Sequence, residues 1–240
     1  MSPSPTLVLE ARELRKDYQG GDGGTIEVLR GLDLSVSTGE FVAVTGESGS
    51  GKSTLLHLIG ALDRPTAGQV LLDGVPYDSL DGDALAALRN RKLGFVFQFH
   101  HLLRDFTALE NVAMPLLIAG QPPGAARARA QELLDSVGLT ERVSHLPAQL
   151  SGGEQQRAAV ARALATSPAL LLADEPSGNL DVRNAEQLHS LFAGLAREFH
   201  TAVVVVTHNR ALAARADRIL TLSEGVLAPE SSYGAETVPS

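Results

Sequence analysis

The chain has 240 residues, 44% of them hydrophobic, a formal net charge of −8 and no cysteine. That length supports one sizeable core, or a core with a satellite subdomain. The acidic balance argues against a broad nucleic-acid-binding face, and the lack of cysteine excludes disulfides and thiolate metal sites.

The opening residues, Met1-Ser-Pro-Ser-Pro5, lack the basic-then-apolar pattern of a secretion signal. The apolar stretch 112–119 falls well short of the ~18–20 residues that a spanning helix needs. The expectation is a chain with no membrane insertion of its own, free to dock on a protein that has one.

Residues 1–45 read as strands. Gly20–Gly24 is a turn, and Leu32, Leu34 and Val36 alternate with polar residues in a half-buried strand. Phe41–Thr45 is a short apolar run that ends in a glycine loop, and residues 52–62 follow as a helix. That loop, Gly46-Glu47-Ser48-Gly49-Ser50-Gly51-Lys52-Ser53, has the spacing of a P-loop in its required strand–loop–helix context. Its glycines let successive N–H groups turn inward around phosphates, and the helix adds its positive dipole end. Lys52 is placed for the β- and γ-phosphates, the Ser53 hydroxyl for Mg²⁺, and Thr54 for the α-phosphate. Only three of the 20 basic residues are lysines, so one inside a phosphate motif is not incidental.

Gln69–Leu72 and Leu93–Phe97 read as further short strands with a helix, 83–91, between them. From Ala108 to Ala165 the pattern is helical, with segments 108–118, 125–136 and 154–166 punctuated by Gly120–Gly124 and Ser144–Pro147. This suggests a helical insertion in an α/β domain. Apolar strands return at 170–173 and 202–206 around a helix at 182–199, and strands this apolar are usually buried on both faces of a parallel sheet. The polar tail 229–240 is expected to be disordered, and no internal repeat is visible.

The strand Leu170–Ala173 runs into Asp174 and Glu175. An apolar strand ending in an acid is how P-loop enzymes hold Mg²⁺ indirectly, and Glu175 is placed to polarise an attacking water. Two solvated acids at a strand end would be the alternative without a P-loop upstream.

A second glycine-rich helix start is Leu150-Ser151-Gly152-Gly153-Glu154. Ser-x-x-Glu is a capping box, which accounts for Ser151 and Glu154. It leaves two glycines in a first turn, where they cost stability unless something approaches the backbone closely. Local chemistry leaves a bare cap and a second phosphate cradle equally open.

The run Leu150-Ser-Gly-Gly-Glu-Gln-Gln-Arg157 resembles the signature motif of ATP-binding cassette (ABC) ATPases, and other motifs of that family follow in order. The resemblance spans roughly residues 7–227. It implies an α/β P-loop NTPase (RecA-like) core with an N-terminal antiparallel β subdomain and an inserted α-helical subdomain. On that pattern residues 1–240 form one domain: the α/β core with its β subdomain is 1–98 and 167–228, and the helical subdomain is 99–166. It implies ATP and Mg²⁺ as cofactors, with Ser53, Gln98 and Asp174 at the metal. Glu175, His208, Lys52 and Gln98 would be catalytic. Tyr18 sits where an aromatic stacks on adenine, though a core aromatic would look the same. Gln98 matches the Q-loop glutamine, Ser177–Asp181 the D-loop with Asp181 near nucleotide, and His208 the switch histidine that touches the γ-phosphate. The six other histidines are assigned no chemistry.

In this family two cassettes sandwich two ATPs head to tail. A homodimer is therefore implied, in which Ser151, Gly152 and Gly153 of one subunit cap the nucleotide on the P-loop of the other. The segment Lys92–Leu117 further resembles the Q-loop region of lipoprotein-releasing ATPase subunits. Ser177 stands where threonine is commoner, and Asn209 replaces an aspartate often found after the switch histidine. The implied protein is peripheral on the cytoplasmic face of the bacterial inner membrane. It would power lipoprotein release towards the outer membrane, with permease coupling helices docking near residues 97–110.

Phe97, Phe99, Leu102, Leu103 and Phe106 make that segment unusually apolar for a loop; packing of the helical insertion on the sheet would explain them equally. Glu110 closes a second capping box with Thr107 and so needs no partner. Related macrolide-efflux and cell-division ATPases share the fold but differ between Phe99 and Val112. A soluble DNA-repair or translation ATPase would carry coiled coils, paired cassettes or basic arms, which this sequence lacks. Intact Lys52, Asp174, Glu175 and His208 argue against an inactive nucleotide-binding scaffold. The cargo rests on resemblance alone.

Overall fold

The computed structural model describes residues 6–21, 23–199 and 201–230. Strands β1 (Leu7–Gln19), β2 (Thr25–Ser37) and β3 (Phe41–Thr45) lead into α1 (Lys52–Ile59). Strands β4 (Ala67–Leu72) and β5 (Val75–Pro76) precede α2 (Gly82–Lys92) and β6 (Leu93–Phe97). Three helices follow, α3 (Ala108–Ile118), α4 (Pro123–Ser136) and α5 (Gly152–Ala163). Then come β7 (Leu170–Asp174), α6 (Val182–Phe199), β8 (Ala202–Val206), α7 (Arg210–Ala213), β9 (Arg218–Ser223) and β10 (Val226–Pro229).

Two sheets organise these elements. β2-β1-β4-β5 is antiparallel, as expected for the N-terminal region. β10-β9-β3-β8-β7-β6 is parallel except at its β10 edge. Register fixes where chemistry gathers in the second sheet. Val44 pairs with Val206, Val206 with Asp174, and Asp174 with Phe97. The loops leaving β3, β8, β7 and β6 therefore emerge along one edge, the carboxyl ends of the strands, where open α/β sheets bind ligands.

The apolar strands are buried on both faces. Leu171, Ala173, Val203 and Val205 face one cluster, with residues of α3 to α6. Leu170, Leu172, Ala202, Val204 and Val206 face another, with Leu55, Leu56, Leu58 and Ile59 of α1 and residues of β1 and β2. Each such buried valine, leucine or isoleucine stabilises by about 1.5–3 kcal/mol. Helices α3, α4 and α5 pack on one another, and α5 also lies on β6. No helix among the described residues is long and apolar enough to cross a membrane.

Some boundaries differ from expectation for local reasons. α1 ends at Ile59 rather than residue 62, because Ala61 turns to φ 55° after Gly60. A Cβ at Gly60 would also meet the Phe95 ring at 2.6 Å. α5 begins at Gly152 rather than 154, since its cap is Ser151, and ends at Ala163 rather than 166. Proline at the first helical position starts α4 two residues early. The expected disordered tail is corrected at its start: Pro229 closes β10, and the Glu230 N–H donates to the Ile219 carbonyl at 3.0 Å. As the last residue of an edge strand, a proline is tolerated there. Residues 231–240 of that tail lie outside the described residues.

Candidate active site

The strand edge opens into a cleft of about 670 Å³. Its lining includes Val28, Ser48, Gly49, Gly51, Lys52, Ser53, Thr54, Gln98, Asp174, Glu175 and His208. Residues from the P-loop, the two strand-end acids, the glutamine and the histidine thus share one space.

The P-loop conformation depends on its glycines. A Cβ on Gly46, at φ 148°, would run into the Leu222 carbonyl oxygen of β9 and lie 2.9 Å from the Ser50 hydroxyl. Gly49, at φ 82°, faces open space with no heavy atom within 4 Å of a Cβ position. Gly51 caps α1 in the left-handed region at φ 101°, with no side-chain cap and no acid in the first turn. The first N–H groups of α1 are thereby left without a side-chain partner, an arrangement that suits an anion. The Lys52 ammonium donates to the carbonyls of Gly46 at 2.9 Å and Glu47 at 2.7 Å, so it folds along the loop. The Ser50 hydroxyl is buried without a partner among the described residues.

Burial holds the Asp174 carboxyl above the usual range and the neighbouring Glu175 charge adds to this; the Ser53 hydroxyl, His57 and Lys52 oppose it. Glu175 takes an unusual φ of 44°. Its carboxylate accepts from the Thr207 hydroxyl at 2.9 Å, the His208 N–H at 2.9 Å and His208 Nδ1 at 2.8 Å. Gln98 exchanges bonds with Asn179: its Nε2 donates to Asn179 Oδ1 and its carbonyl accepts from Asn179 Nδ2, both at 3.2 Å. Sequence reasoning missed Thr207 and Val28; only Thr207's place, next to a histidine at a strand end, could have flagged it.

Other expected residues lie elsewhere. Ser151, Gly152 and Gly153 do not line the cleft. Ser151 caps α5, accepting from the Glu154 N–H at 3.3 Å while Glu154 Oε2 accepts from the Ser151 N–H at 2.8 Å. Gly153 has a packing reason that sequence did not reveal: its Cβ would collide with Asn184 Oδ1 of α6. Gly153 thus has a structural cause of its own, contrary to the expectation that only a close approach to the backbone explains both glycines. Gly152 alone has nothing within 4 Å of a Cβ position. Asp181 accepts from the Asn184 N–H at 2.9 Å and its amide at 2.6 Å, bonds that hold its carboxyl below the usual range.

Tyr18 also lies outside the cleft lining, 40% exposed near the end of β1. Its hydroxyl donates to Asp63 at 3.0 Å, and the Lys16 ammonium, paired with Asp63 at 2.8 Å, sits 4.9 Å from its ring centre. The ring is held in place at a partly open position.

The 97–110 segment divides by residue. Phe97 stacks on Phe95 with centroids 5.9 Å apart, and Leu102 is buried. Phe99, Leu103 and Phe106 are exposed, as is Ile118. Ile118 is also on a groove of about 450 Å³, lined by residues including Phe95, Phe97, Pro115 and Arg162. Arg162 donates to the carbonyls of His101 at 2.7 Å and His100 at 2.9 Å. Buried Asn111 fastens the loop, receiving the Leu103 N–H at 2.7 Å and donating to the Leu103, Phe106 and Thr107 carbonyls. Glu110 is engaged in its capping box, its Oε2 accepting from the Thr107 N–H at 2.8 Å.

Residues 29–178 match the family model described as ABC transporter. The chain is 51% identical over 227 residues to the lipoprotein-releasing system ATP-binding protein LolD of Shewanella frigidimarina, covering 95% of each. It is 52% identical over 235 residues to LolD 2 of Chlorobium chlorochromatii, covering 96% of this chain and 98% of that one. Among solved structures, the dimeric bacterial ABC transporter cassette MJ0796 superposes with a TM-score of 0.84 at 41% identity, covering 93% and 97% of the two chains. A post-hydrolysis state of MJ0796 bound to ADP and Pi matches with the same TM-score at 40% identity, covering 94% and 100%.

Proposed function

The chain belongs to the ABC transporter family and is an ATPase of it, and from that premise we propose that it powers the release of lipoproteins from a bacterial inner membrane towards the outer membrane. Support for that cargo is the identity of 51–52%, over nearly the whole chain, to two ATP-binding proteins of lipoprotein-releasing systems. The observation that carries the catalytic reading is the cleft itself, where Lys52, Ser53, Asp174, Glu175, Gln98 and His208 meet at the ends of parallel strands.

The roles follow from chemistry. The N–H groups of residues 49–54 and the Lys52 ammonium bind phosphate oxygens, Lys52 exchanging its loop carbonyls for them. The oxygen donors fit Mg²⁺: Ser53, Asp174 and Gln98 line the same cleft, and a cation would relieve the repulsion between Asp174 and Glu175. No group of three acidic, histidine or cysteine side chains among the described residues could hold a metal alone. Mg²⁺ would therefore sit on Ser53, Asp174 and Gln98 together with nucleotide phosphates, neutralising phosphate charge when bound. Glu175 orients the attacking water and takes its proton at a carboxylate oxygen, a role worth ~10²–10⁴-fold in rate. His208 leaves Glu175 for the γ-phosphate, and Tyr18 offers a ring face to adenine.

Ser151, Gly152 and Gly153 lie away from this cleft, which favours their use on a second subunit's nucleotide in a head-to-tail homodimer, with Asp181 close by. MJ0796, a dimeric cassette of high similarity, supports that assembly. The exposed Phe99, Leu103 and Phe106, with Ile118 on the 450 Å³ groove, offer a docking face for permease coupling helices on the cytoplasmic side.

The test is reconstitution. Proteoliposomes carrying an acylated lipoprotein, the permease that co-purifies with this chain, and the chain itself should release lipoprotein when ATP is added. Release should be absent with Glu175→Gln. ATP hydrolysis without release of any acylated protein would overturn the cargo assignment.

A further inference from the structure

Helix α6 buries one histidine that the proposed chemistry does not use. His189 is 2% exposed, its Nε2 lies 3.0 Å from the Ser177 hydroxyl, and its Nδ1 has no hydrogen-bond partner among the described residues. An imidazole with one nitrogen unpartnered is costly to bury, and an aliphatic side chain would fill the space without that penalty. What distinguishes the histidine is its one bond, and that bond reaches the turn carrying the proposed water-activating residue.

Ser177 is two residues beyond Glu175 and is itself buried. The Gly178 N–H donates to the Glu175 carbonyl at 3.0 Å, and the Leu180 N–H donates to the Ser177 carbonyl at 3.1 Å. The next residue in the turn, Asn179, holds Gln98 through two bonds. Glu175 sits at φ 44°, a conformation that an L-residue keeps only where its surroundings over-determine it. Its carboxylate is fixed by Thr207 and His208 and its N–H by the Val206 carbonyl. Downstream, among the described residues, the turn itself is tied to α6 by Ser177 to His189, and Asp181 just beyond it by Asn184.

We infer that His189 is a positioning residue for ATP hydrolysis: through Ser177 it fixes the turn from Glu175 to Leu180, and with it the placement of the Glu175 carboxylate and the Gln98–Asn179 pair. The inference rests on the proposed role of Glu175. The neutral imidazole suits the task, because it shares one proton with the serine and brings no charge into the core. Burial and Arg215 keep it neutral, while Glu186 works the other way. Arg215 and Glu186 are themselves paired at 3.0 Å.

Steady-state ATPase kinetics of three variants test this. His189→Leu fills the volume without the bond, Ser177→Ala removes the hydroxyl from the other side, and His189→Gln restores a side-chain amide that can hydrogen-bond to Ser177. Losing the bond should lower kcat by about tenfold with KM within about twofold, the scale of one hydrogen bond felt at the transition state. His189→Gln should recover most of kcat, and the Leu/Ala double variant should fall no further than either single. Wild-type kcat in Ser177→Ala, additive losses, or loss explained by a lower folded fraction would each overturn the inference. If His189→Leu does not fold, Ser177→Ala and His189→Gln decide it alone. Glu175→Gln is assayed in parallel. An inactive Glu175→Gln beside fully active Ser177→Ala and His189→Leu removes this inference only, whereas an active Glu175→Gln removes the reading of the cleft and this inference with it.

Discussion

Glu175 and His208 hold each other: one carboxylate oxygen of Glu175 accepts both the backbone N–H of His208 at 2.9 Å and its ring Nδ1 at 2.8 Å. The residue proposed to activate water and the residue proposed to sense the γ-phosphate are thus joined as one unit. Replacing Glu175 with Gln keeps an oxygen that accepts from His208 and loses the base. We expect ATP binding to persist, hydrolysis to fall ~10²–10⁴-fold, and a nucleotide-bound dimer to accumulate in size-exclusion chromatography. Hydrolysis at the wild-type rate would end the assignment of Glu175.

The two glycines of the signature turn should separate. Gly153→Ala places a methyl against the Asn184 amide, which Asp181 holds at 2.6 Å. We expect a loss of about 1–3 kcal/mol in chemical denaturation, largely recovered by adding Asn184→Ala. Gly152→Ala meets nothing within 4 Å, so stability should be unchanged or slightly higher while ATPase activity drops. Full activity in Gly152→Ala would mean that no phosphate approaches that backbone.

Docking should depend on the exposed residues of the 97–106 segment and not on Leu102. Leu103→Glu, at a residue 43% exposed, should leave basal ATPase activity and melting temperature unchanged while abolishing co-purification with the permease. Leu102→Glu buries a carboxylate at a position 6% exposed and should destabilise the whole chain. Undiminished co-purification of Leu103→Glu would refute the docking face.

Buried His189 has a pH signature. Its pKa is lowered from 6.5, chiefly by burial. The unfolded chain therefore takes up a proton near pH 6.5 that the folded chain refuses until lower pH. This contribution to stability is complete above 6.5 and lost as pH falls below it. Urea denaturation between pH 7.5 and 5 should show a shallower decline for His189→Gln than for wild type; identical slopes would contradict the burial of a neutral imidazole.

Much of the site was legible because its signals are local. Gly46 to Ser53 between an apolar strand and a helix specify their own conformation, and Asp174–Glu175 end a strand whose apolar run marks burial on both faces. Relations across the fold were not legible. Nothing near Gly153 in sequence announces Asn184, and nothing at Leu102 distinguishes it from exposed Leu103; Asn111, eight residues on, pins that loop. β9 and β10 carry a weak signal: Leu220 and Leu222 flank Thr221, but the run is short and starts with arginine. Tyr18 matched a motif, yet its surroundings, Lys16 and Asp63, come from β1 and the loop after α1.

The central claim is that each active site is shared by two subunits, and mixing defective chains tests it most directly. Lys52→Ala and Ser151→Arg chains, carrying different affinity tags, are co-expressed and the mixed dimer isolated through both tags. If the site is shared, one site of the mixed dimer holds both defects and the other is intact. ATPase activity should then rise above that of either pure variant. Doubly tagged dimers with no such recovery would contradict the account.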